Sequence, residues 1–479
     1  MAFDPAKKLR TFVSNDKPYP LISGFVIGFY MLAFYYSKNL ELGSSWESLA
    51  VFAAYFVLLP MLGIALVYRL VLRTRWRPFA AHWVFVSTLA FLGYFLLEHF
   101  SIPYSKRIVL GVSVLLALVS VKFRNHKIVV LLVAFMTAFP LMQTAKKIVH
   151  NFSNPAHWNK LPDAIEQCRF TKTPNVYFLQ MDGYADALAL QSKLYRYDNL
   201  AFDAWLRSRG FTLYDGFRSN YNSTLKSNSS MLSMKHHYSL ENVGFKNARD
   251  YVMGDNPVLR VFKNNGYQTH FISERPYFLI SRPVVAFDHA NFATSEVPYL
   301  KDGWSAFKDI TQTVKSAVSA KGKKFVFIQK FNPGHIAVYQ AQSQGVEGER
   351  KLYIEKLEQA NAWLRDIIPF IEKHDPSAMI IIGADHGGFV GMQSTKEAFA
   401  KINDPDLLRS IFGAKLAIKW NGERHAEFDL GLRTSVNLFR TVFAFLGDSP
   451  SYLQHLEPDV SYNNYDFQNH EKIYPAIKP

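Results

Sequence analysis

The apolar runs crowding the first 145 residues constrain this chain more than any other feature. Pro20 to Tyr36, Leu49 to Leu72 with Pro60 inside it, and Phe79 to Leu97 are each about as long as a helix must be to cross a bilayer. Inside lipid a backbone must satisfy its own hydrogen bonds, so these runs predict membrane-spanning helices. Ile108 to Val121 and Ile128 to Met142 are shorter, and fit either short spans extended by their flanks or a re-entrant pair. The expectation is a transmembrane domain over 1–145 with about five helices.

Charge orients such a bundle. Lys7, Lys8, Arg10 and Lys17 precede the first run, Arg69, Arg73, Arg75 and Arg77 separate the second from the third, and Lys122, Arg124 and Lys127 separate the fourth from the fifth. The alternate loops hold only Lys38, Lys106 and Arg107. A cytoplasmic N-terminus follows, with everything after about residue 145 outside the cytoplasm if the last two runs behave alike. No small-residue cleavage pattern follows the first run, which argues against a cleaved signal peptide. The net charge of +15 is spread beside apolar segments rather than gathered in a long basic run, so nucleic-acid binding is not expected. The single cysteine, Cys168, excludes an intrachain disulfide framework and a cysteine-rich metal site.

Residues 146–174 are polar and carry Pro155, Pro162 and Pro174, which reads as a linker. Beyond it the pattern changes. Val176 to Leu179, Thr269 to Ile272, Phe325 to Ile328 and Met379 to Ile382 are apolar runs of strand length, and they alternate with helical stretches such as Gly348 to Lys373. Strands separated by helices predict an α/β domain whose mostly parallel sheet is flanked by helices, with ligands at the C-terminal strand ends.

Those ends carry the chemistry. The first run leads into Asp182-Gly183-Tyr184 and the last into Asp385-His386-Gly387, which offer carboxylate and imidazole ligands to a metal where the sheet opens. Between them, Ser219 to Met231 is rich in hydroxyls without an obvious core role. A hydroxyl is a weak nucleophile at neutral pH, and a divalent cation is one way to activate it.

A strand-end Asp, a downstream hydroxyl nucleophile and a late Asp-His-Gly together resemble the alkaline phosphatase superfamily. More narrowly, the chain resembles the membrane-anchored sulfatase-like transferases, which include lipoteichoic acid synthase, the periplasmic glucan phosphoglycerol transferases and the lipid A phosphoethanolamine transferases. Asp182-Gly183-Tyr184, Ser219 to Met231 and Val436-Asn437-Leu438-Phe439-Arg440 carry the resemblance. It implies an N-terminal transmembrane helical bundle followed by an extracytoplasmic, alkaline-phosphatase-like catalytic domain over 175–479, in a bacterial cytoplasmic membrane.

Position by position, the resemblance implies that Asp182, Asp385 and His386 bind a metal and that Thr224 is the nucleophile completing its coordination, with Ser223 the rival. His335, in Phe331-Asn332-Pro333-Gly334-His335, falls near a segment that contacts phosphate or leaving group in such enzymes, although Gln329 stands where a histidine is common. His425 is a second candidate on the substrate side. Two-metal members of the families this chain resembles add an Asp and a His, and no aspartate lies between Phe331 and Glu355, so the resemblance implies one divalent ion, as in lipoteichoic acid synthase; zinc or manganese fits the carboxylate and imidazole set. No Cys or Ser sits in the C/S-x-P-x-R setting of formylglycine sulfatases. The implied reaction moves a phosphoglycerol or phosphoethanolamine group from a membrane phospholipid to an envelope glycan or lipid. A membrane-tethered phosphodiesterase or phosphatase, and an inactive envelope scaffold, are the alternatives.

Overall fold

In the computed structural model the chain divides into two compact units, residues 1–152 and 153–479. The structure describes residues 5–15, 17–40, 45–99, 105–120, 126–153, 158–240, 247–299, 306–422, 425–465 and 472–479.

The first unit is helical: α1 (Pro5–Ser14), α2 (Pro20–Asn39), α3 (Trp46–Leu72), α4 (Ala80–His99), α5 (Lys106–Ser120) and α6 (His126–Ser153). Four stretches, Pro20–Asn39, Trp46–Leu72, Arg77–Leu97 and Lys127–Val149, are long and apolar enough to cross a membrane. Leu62, Leu66, Leu118, Phe135 and Phe139 stand exposed on these helices and on α5, a surface suited to lipid rather than water. The fifth apolar run, expected as a short span extended by its flanks or as part of a re-entrant pair, lies inside a 28-residue helix, whereas the fourth forms a helix of 15 residues, about 22 Å at 1.5 Å per residue. Lys122 and Arg124, two of the orienting charges, lie outside the described residues.

Pro60 has no N–H to offer the preceding turn, and the five residues Ala54–Leu58 ahead of it wind as a π-helix. Gly24 and Gly28 of α2 pack against this region so closely that a Cβ on Gly28 would sit 2.3 Å from the Phe56 carbonyl oxygen.

The second unit is built on a seven-stranded sheet in the order β2-β7-β6-β1-β5-β3-β4, comprising β1 (Val176–Met181), β2 (Thr212–Leu213), β3 (Gln268–Ser273), β4 (His289–Ala290), β5 (Lys324–Lys330), β6 (Met379–Gly383) and β7 (Leu416–Lys419). A two-stranded sheet, β8 (Ser461–Asn464) with β9 (Ile473–Ile477), lies beside it in sequence order at the end of the chain. The pairs β1–β5, β1–β6, β3–β5 and β3–β4 are parallel, and β7 alone reverses, pairing antiparallel with β6 and β2. Every residue of β1 and β6 is buried, which is why these strands read as unbroken apolar runs.

The main helices are α7 (Thr224–Ser233), α8 (Pro257–Asn264), α9 (Thr311–Ser319), α10 (Gly345–His374) and α11 (Leu438–Leu446). On one face Phe439 of α11 meets Phe178 and Phe325 edge-on, and Phe262 of α8 stacks on Phe325. On the other, Tyr177 donates to Asp375 at the end of α10 at 2.9 Å. The mostly parallel sheet flanked by helices matches the expectation, with the reversal at β7 as its exception.

The stretch expected as a linker over 146–174 is divided instead. Its first residues complete α6, while Leu161, Ile165 and Cys168 are buried in the core of the second unit. Arg440, 1% exposed, pairs with Asp163 at 2.6 Å, and the amides of Thr171 and Lys172 donate to the Leu446 carbonyl. The three apolar anchors are spaced four and three residues apart, as on one face of a helix, but a set of three among prolines and polar residues is too short to stand out as a period.

Candidate active site

Parallel register sets the site. Gln180 of β1 lies opposite Gly383 of β6 and Gln329 of β5, and Gln329 lies opposite Ser273 of β3, so the residues following all four strands emerge at one edge. Asp182, Glu274, the Phe331–His335 loop and Asp385-His386 therefore converge there.

Asp182, Asp385 and His386 are all buried, and one ligand atom from each lies within 4.8 Å of the others. His386 Nε2 is 3.7 Å from Asp182 Oδ1 and 3.5 Å from Asp385 Oδ2. Those two carboxylate oxygens are buried and have no hydrogen-bond partner. His386 donates from Nδ1 to the Gly387 carbonyl at 2.8 Å, which leaves the Nε2 lone pair facing the carboxylates. Burial, then the neighbouring Asp385 charge, pushes the Asp182 carboxyl up to about 7. Burial opposes the charged form of His386, but Asp385 and Asp182 outweigh it and hold its pKa above the ordinary value. Two unpartnered carboxylate oxygens beside an imidazole with a fixed tautomer fit a divalent cation.

Thr224 is the first residue of α7, buried, with Oγ1 3.3 Å from His386 Nε2. Ser223, the rival, is the N-cap of α7, and its Oγ accepts from the Lys226 amide at 3.4 Å. The helix start thus employs one hydroxyl as a cap and turns the next toward the cluster, at the positive end of the helix dipole.

The ligand loops lock into one another. Asp182 N donates to the Lys330 carbonyl at 2.9 Å, Gly334 N donates to the Asp182 carbonyl at 2.8 Å, and Gly183 N donates to Asp385 Oδ1 at 3.1 Å. Gly183 has φ +64°, and a Cβ there would sit 2.1 Å from the Gly334 carbonyl oxygen, so the close approach requires glycine.

His335 is brought to this cluster, its ring centroid 5.9 Å from that of His386, with Nδ1 donating to the Ile336 carbonyl at 2.7 Å. Burial and the neighbouring His386 lower its pKa to about 4, so the ring is neutral at physiological pH.

His425, the other residue expected on the substrate side, is not brought to this cluster. β7 runs against β6, with Leu416 opposite Gly383 and Lys419 opposite Ile380, so residues beyond Lys419 emerge at the sheet edge opposite Asp385. There His425 pairs with Asp429 at 2.9 Å, approaches Thr212 Oγ1 at 3.4 Å and stacks on Trp420. One antiparallel strand carries it to the opposite edge.

Sequence reasoning missed the residues that hold the loops in place. Tyr353 of α10 donates from its hydroxyl to the Gly183 carbonyl at 2.9 Å and accepts from Ala185 N at 3.0 Å. Tyr195 accepts from Gly388 N at 3.1 Å, its ring edge-on to Tyr353. Glu349 accepts from the amides of Ala337 and Gln344 at 2.8 and 2.9 Å, fixing the chain just after His335. For Tyr353 and Glu349 the available sign was their position on the buried stripe of α10, where they and Asn361 interrupt a largely apolar face; Tyr195, outside that helix, carried no such sign.

No family model and no curated protein matches the chain. Among solved structures it is similar to phosphoethanolamine transferases and sulfatases. The full-length lipooligosaccharide phosphoethanolamine transferase A (EptA) from Neisseria meningitidis is 13% identical, with 93% of this chain and 96% of that chain covered at a TM-score of 0.41. The C-terminal periplasmic domain of EcEptC from Escherichia coli is 12% identical over 64% of this chain and 93% of that chain, at a TM-score of 0.41. The 2-O GAG sulfatase BT1596 is 13% identical over 58% and 71%, at 0.37.

Proposed function

We propose that the chain is a membrane-anchored, metal-dependent phosphotransferase of the sulfatase-like kind. It moves a phosphoglycerol or phosphoethanolamine group from a membrane phospholipid to an envelope glycan or lipid through a phospho-threonine intermediate. The observation that carries this reading is Thr224 Oγ1 at 3.3 Å from His386 Nε2, beside two buried carboxylate oxygens without hydrogen bonds.

Asp182, Asp385, His386 and Thr224 would hold one zinc or manganese ion, which lowers the hydroxyl's pKa and offsets charge on the phosphoryl oxygens. Thr224 Oγ1 attacks the phosphorus, and the bond from phosphorus to the diacylglycerol oxygen breaks. His335, neutral at rest with Nδ1 committed to the Ile336 carbonyl, accepts the released proton at Nε2 and returns it to the departing oxygen. In the second step an acceptor hydroxyl attacks the phosphorus of the phospho-threonine, the bond from phosphorus to Thr224 Oγ1 breaks, and the acceptor's proton passes through His335 Nε2 to Oγ1, which regenerates the Thr224 hydroxyl. The site faces the side opposite the cytoplasm in this reading, which requires α5 as well as the four long stretches to cross.

The deciding experiment is intact mass spectrometry of the detergent-solubilised protein after incubation with manganese or zinc and headgroup-labelled phospholipids, with peptide mapping across Ser219 to Lys235. An adduct on Thr224 is expected, and its mass separates phosphoglycerol from phosphoethanolamine. An adduct on Ser223, or consumption of lipid that persists in Thr224→Ala, would overturn the assignment.

A further inference from the structure

Every residue of α7 except Leu225 is buried, yet of the buried ones only Met231 and Leu232 are apolar. Hydrogen bonds therefore do much to set where this helix lies. Ser227 Oγ donates to the Tyr221 carbonyl at 3.1 Å, Lys226 Nζ to Asn464 Oδ1 at 2.7 Å, and the amide of His237 to Ser230 Oγ at 3.0 Å. A fourth link has a different destination. Asn228 Oδ1 accepts from Gln180 Nε2 at 2.6 Å, and Gln180 lies on β1, two residues before Asp182.

The same side chain reaches the nucleophile. Asn228 Nδ2 donates at 2.8 Å to the carbonyl of Thr224, about one helical turn earlier. One amide thus joins the strand that leads into Asp182 to the residue whose hydroxyl lies 3.3 Å from His386 Nε2. Its direction is fixed: a carbonyl only accepts, so Asn228 turns Nδ2 toward Thr224 and Oδ1 toward Gln180, which must then donate. Gln180 keeps this arrangement although its own Oε1 is buried without a hydrogen-bond partner. Asparagine is a poor helix former, and Asn228 and Gln180 are 0% and 1% exposed, so the pair bears a desolvation cost that apolar side chains of similar size would avoid. Apolar packing would hold the helix to the strand at least as well; what the two amides add is direction.

We infer that Asn228, held by Gln180, is a positioning residue that sets the place of the Thr224 hydroxyl beside the metal cluster. With the Thr224 carbonyl held, rotation about χ1 is the main freedom left to Oγ1, and a misplacement of about 1 Å costs on the order of a hundredfold in rate. The inference rests on the reading of Thr224 as nucleophile and metal ligand.

The test uses the full-length protein in detergent, loaded with manganese for turnover of bis-p-nitrophenyl phosphate and with cobalt(II) for its visible absorption, which follows the ligand set and needs no turnover. Asn228→Ala is expected to lower kcat about a hundredfold with KM within about threefold, and to melt at a lower temperature because Gln180 Nε2 loses its partner. Gln180→Met combined with Asn228→Leu replaces both amides by apolar side chains. That double variant is expected to melt at least as high as wild type while its kcat stays as low as that of Asn228→Ala. In both, metal content is expected to be unchanged and the cobalt spectrum to shift toward that of Thr224→Ala. Recovery of kcat along with melting temperature in the double variant would show that the pair serves the fold alone. An unchanged cobalt spectrum, a rise in KM at unchanged kcat, or loss of metal would each overturn the inference as well. If Thr224→Ala changes neither turnover nor spectrum, the phosphotransferase reading fails and the inference falls with it. If Thr224→Ala changes both while the Asn228 variants change neither, the reading stands and the inference alone is wrong.

Discussion

At the scale of single residues, the Tyr353 hydroxyl holds the turn that follows Asp182, donating to the Gly183 carbonyl and accepting from Ala185 N. Tyr353→Phe keeps the ring and is expected to lower manganese affinity by about tenfold with the far-ultraviolet spectrum unchanged, as for a residue that supports the proposed ligand Asp182; a metal titration checks it. Asp182, Asp385 and His386 were legible in the sequence because each follows an apolar strand run, and Thr224 because hydroxyls cluster around it without a core to explain them. Tyr353 was not, because a buried tyrosine on a helix reads as core until its hydroxyl is seen bonded. Asp186 gives a second residue-scale prediction, in pH. Burial outweighs its hydrogen bonds and nearby cations and pushes its carboxyl up to about 6. The folded state therefore binds the proton more tightly than the unfolded state, and stability falls as pH rises from about 4 to about 6. Asp186→Asn keeps an acceptor for the Ala189 amide, which now bonds Oδ1 at 2.9 Å, and removes the charge. It is expected to be more stable than wild type by on the order of 2 kcal/mol at pH 8, with the difference vanishing below about pH 4. Thermal melts at the two pH values test this.

At the scale of elements, long uniform patterns were easy to read and short or reversed ones were not. α10 was legible because its apolar residues keep a helical period over many turns, and β1, β5 and β6 because each carries a buried run of four apolar residues, Val176 to Leu179, Phe325 to Ile328 and Met379 to Ile382. β7 is four residues long, and nothing in Leu416-Ala417-Ile418-Lys419 signals that it runs against β6. That reversal sent His425 to the opposite edge. In the first unit the helix whose behaviour matters most is α5. It is about 22 Å long at 15 residues, so crossing ~30 Å of hydrocarbon needs help from its flanks or local thinning of the bilayer. Its crossing fixes the side on which the metal cluster lies, because four crossings return the chain to the starting side and five do not. With the N-terminus cytoplasmic, Thr74→Cys in the loop after α3 is expected to resist a membrane-impermeant maleimide in intact spheroplasts, while Lys321→Cys in the second unit is labelled. Cys168 is buried, and burial pushes its thiol up to about 11, which keeps the background low. Equal protection of both introduced cysteines would mean that α5 does not cross and that the second unit is cytoplasmic.

At the scale of the whole molecule, all the proposed chemistry lies in the second unit, since Asp182, Thr224, His335, Asp385 and His386 fall within residues 153–479. What the helical unit adds is access to substrate. A phospholipid headgroup is confined to a surface, and a site tethered to that surface meets it at a far higher effective concentration than a freely diffusing one. The second unit has its own continuous core, from Leu161 to Leu446, and its exposed large apolar side chains, such as Leu200, Val284 and Leu430, are scattered along the sequence rather than repeated on successive helical turns. Those properties predict a soluble fold without the helices. A chain of residues 153–479 is therefore expected to bind one divalent ion per molecule and to cleave a small soluble phosphodiester at a rate within about threefold of the full-length protein. Its turnover of phospholipid in vesicles should fall by about a hundredfold or more, in line with the loss of an effective concentration in the millimolar range. Comparing the two substrates separates the parts. If activity on the soluble ester falls along with that on vesicles, the helices support the site itself. If activity on vesicles survives truncation, the second unit carries its own membrane-binding surface and the anchor serves some purpose other than substrate capture.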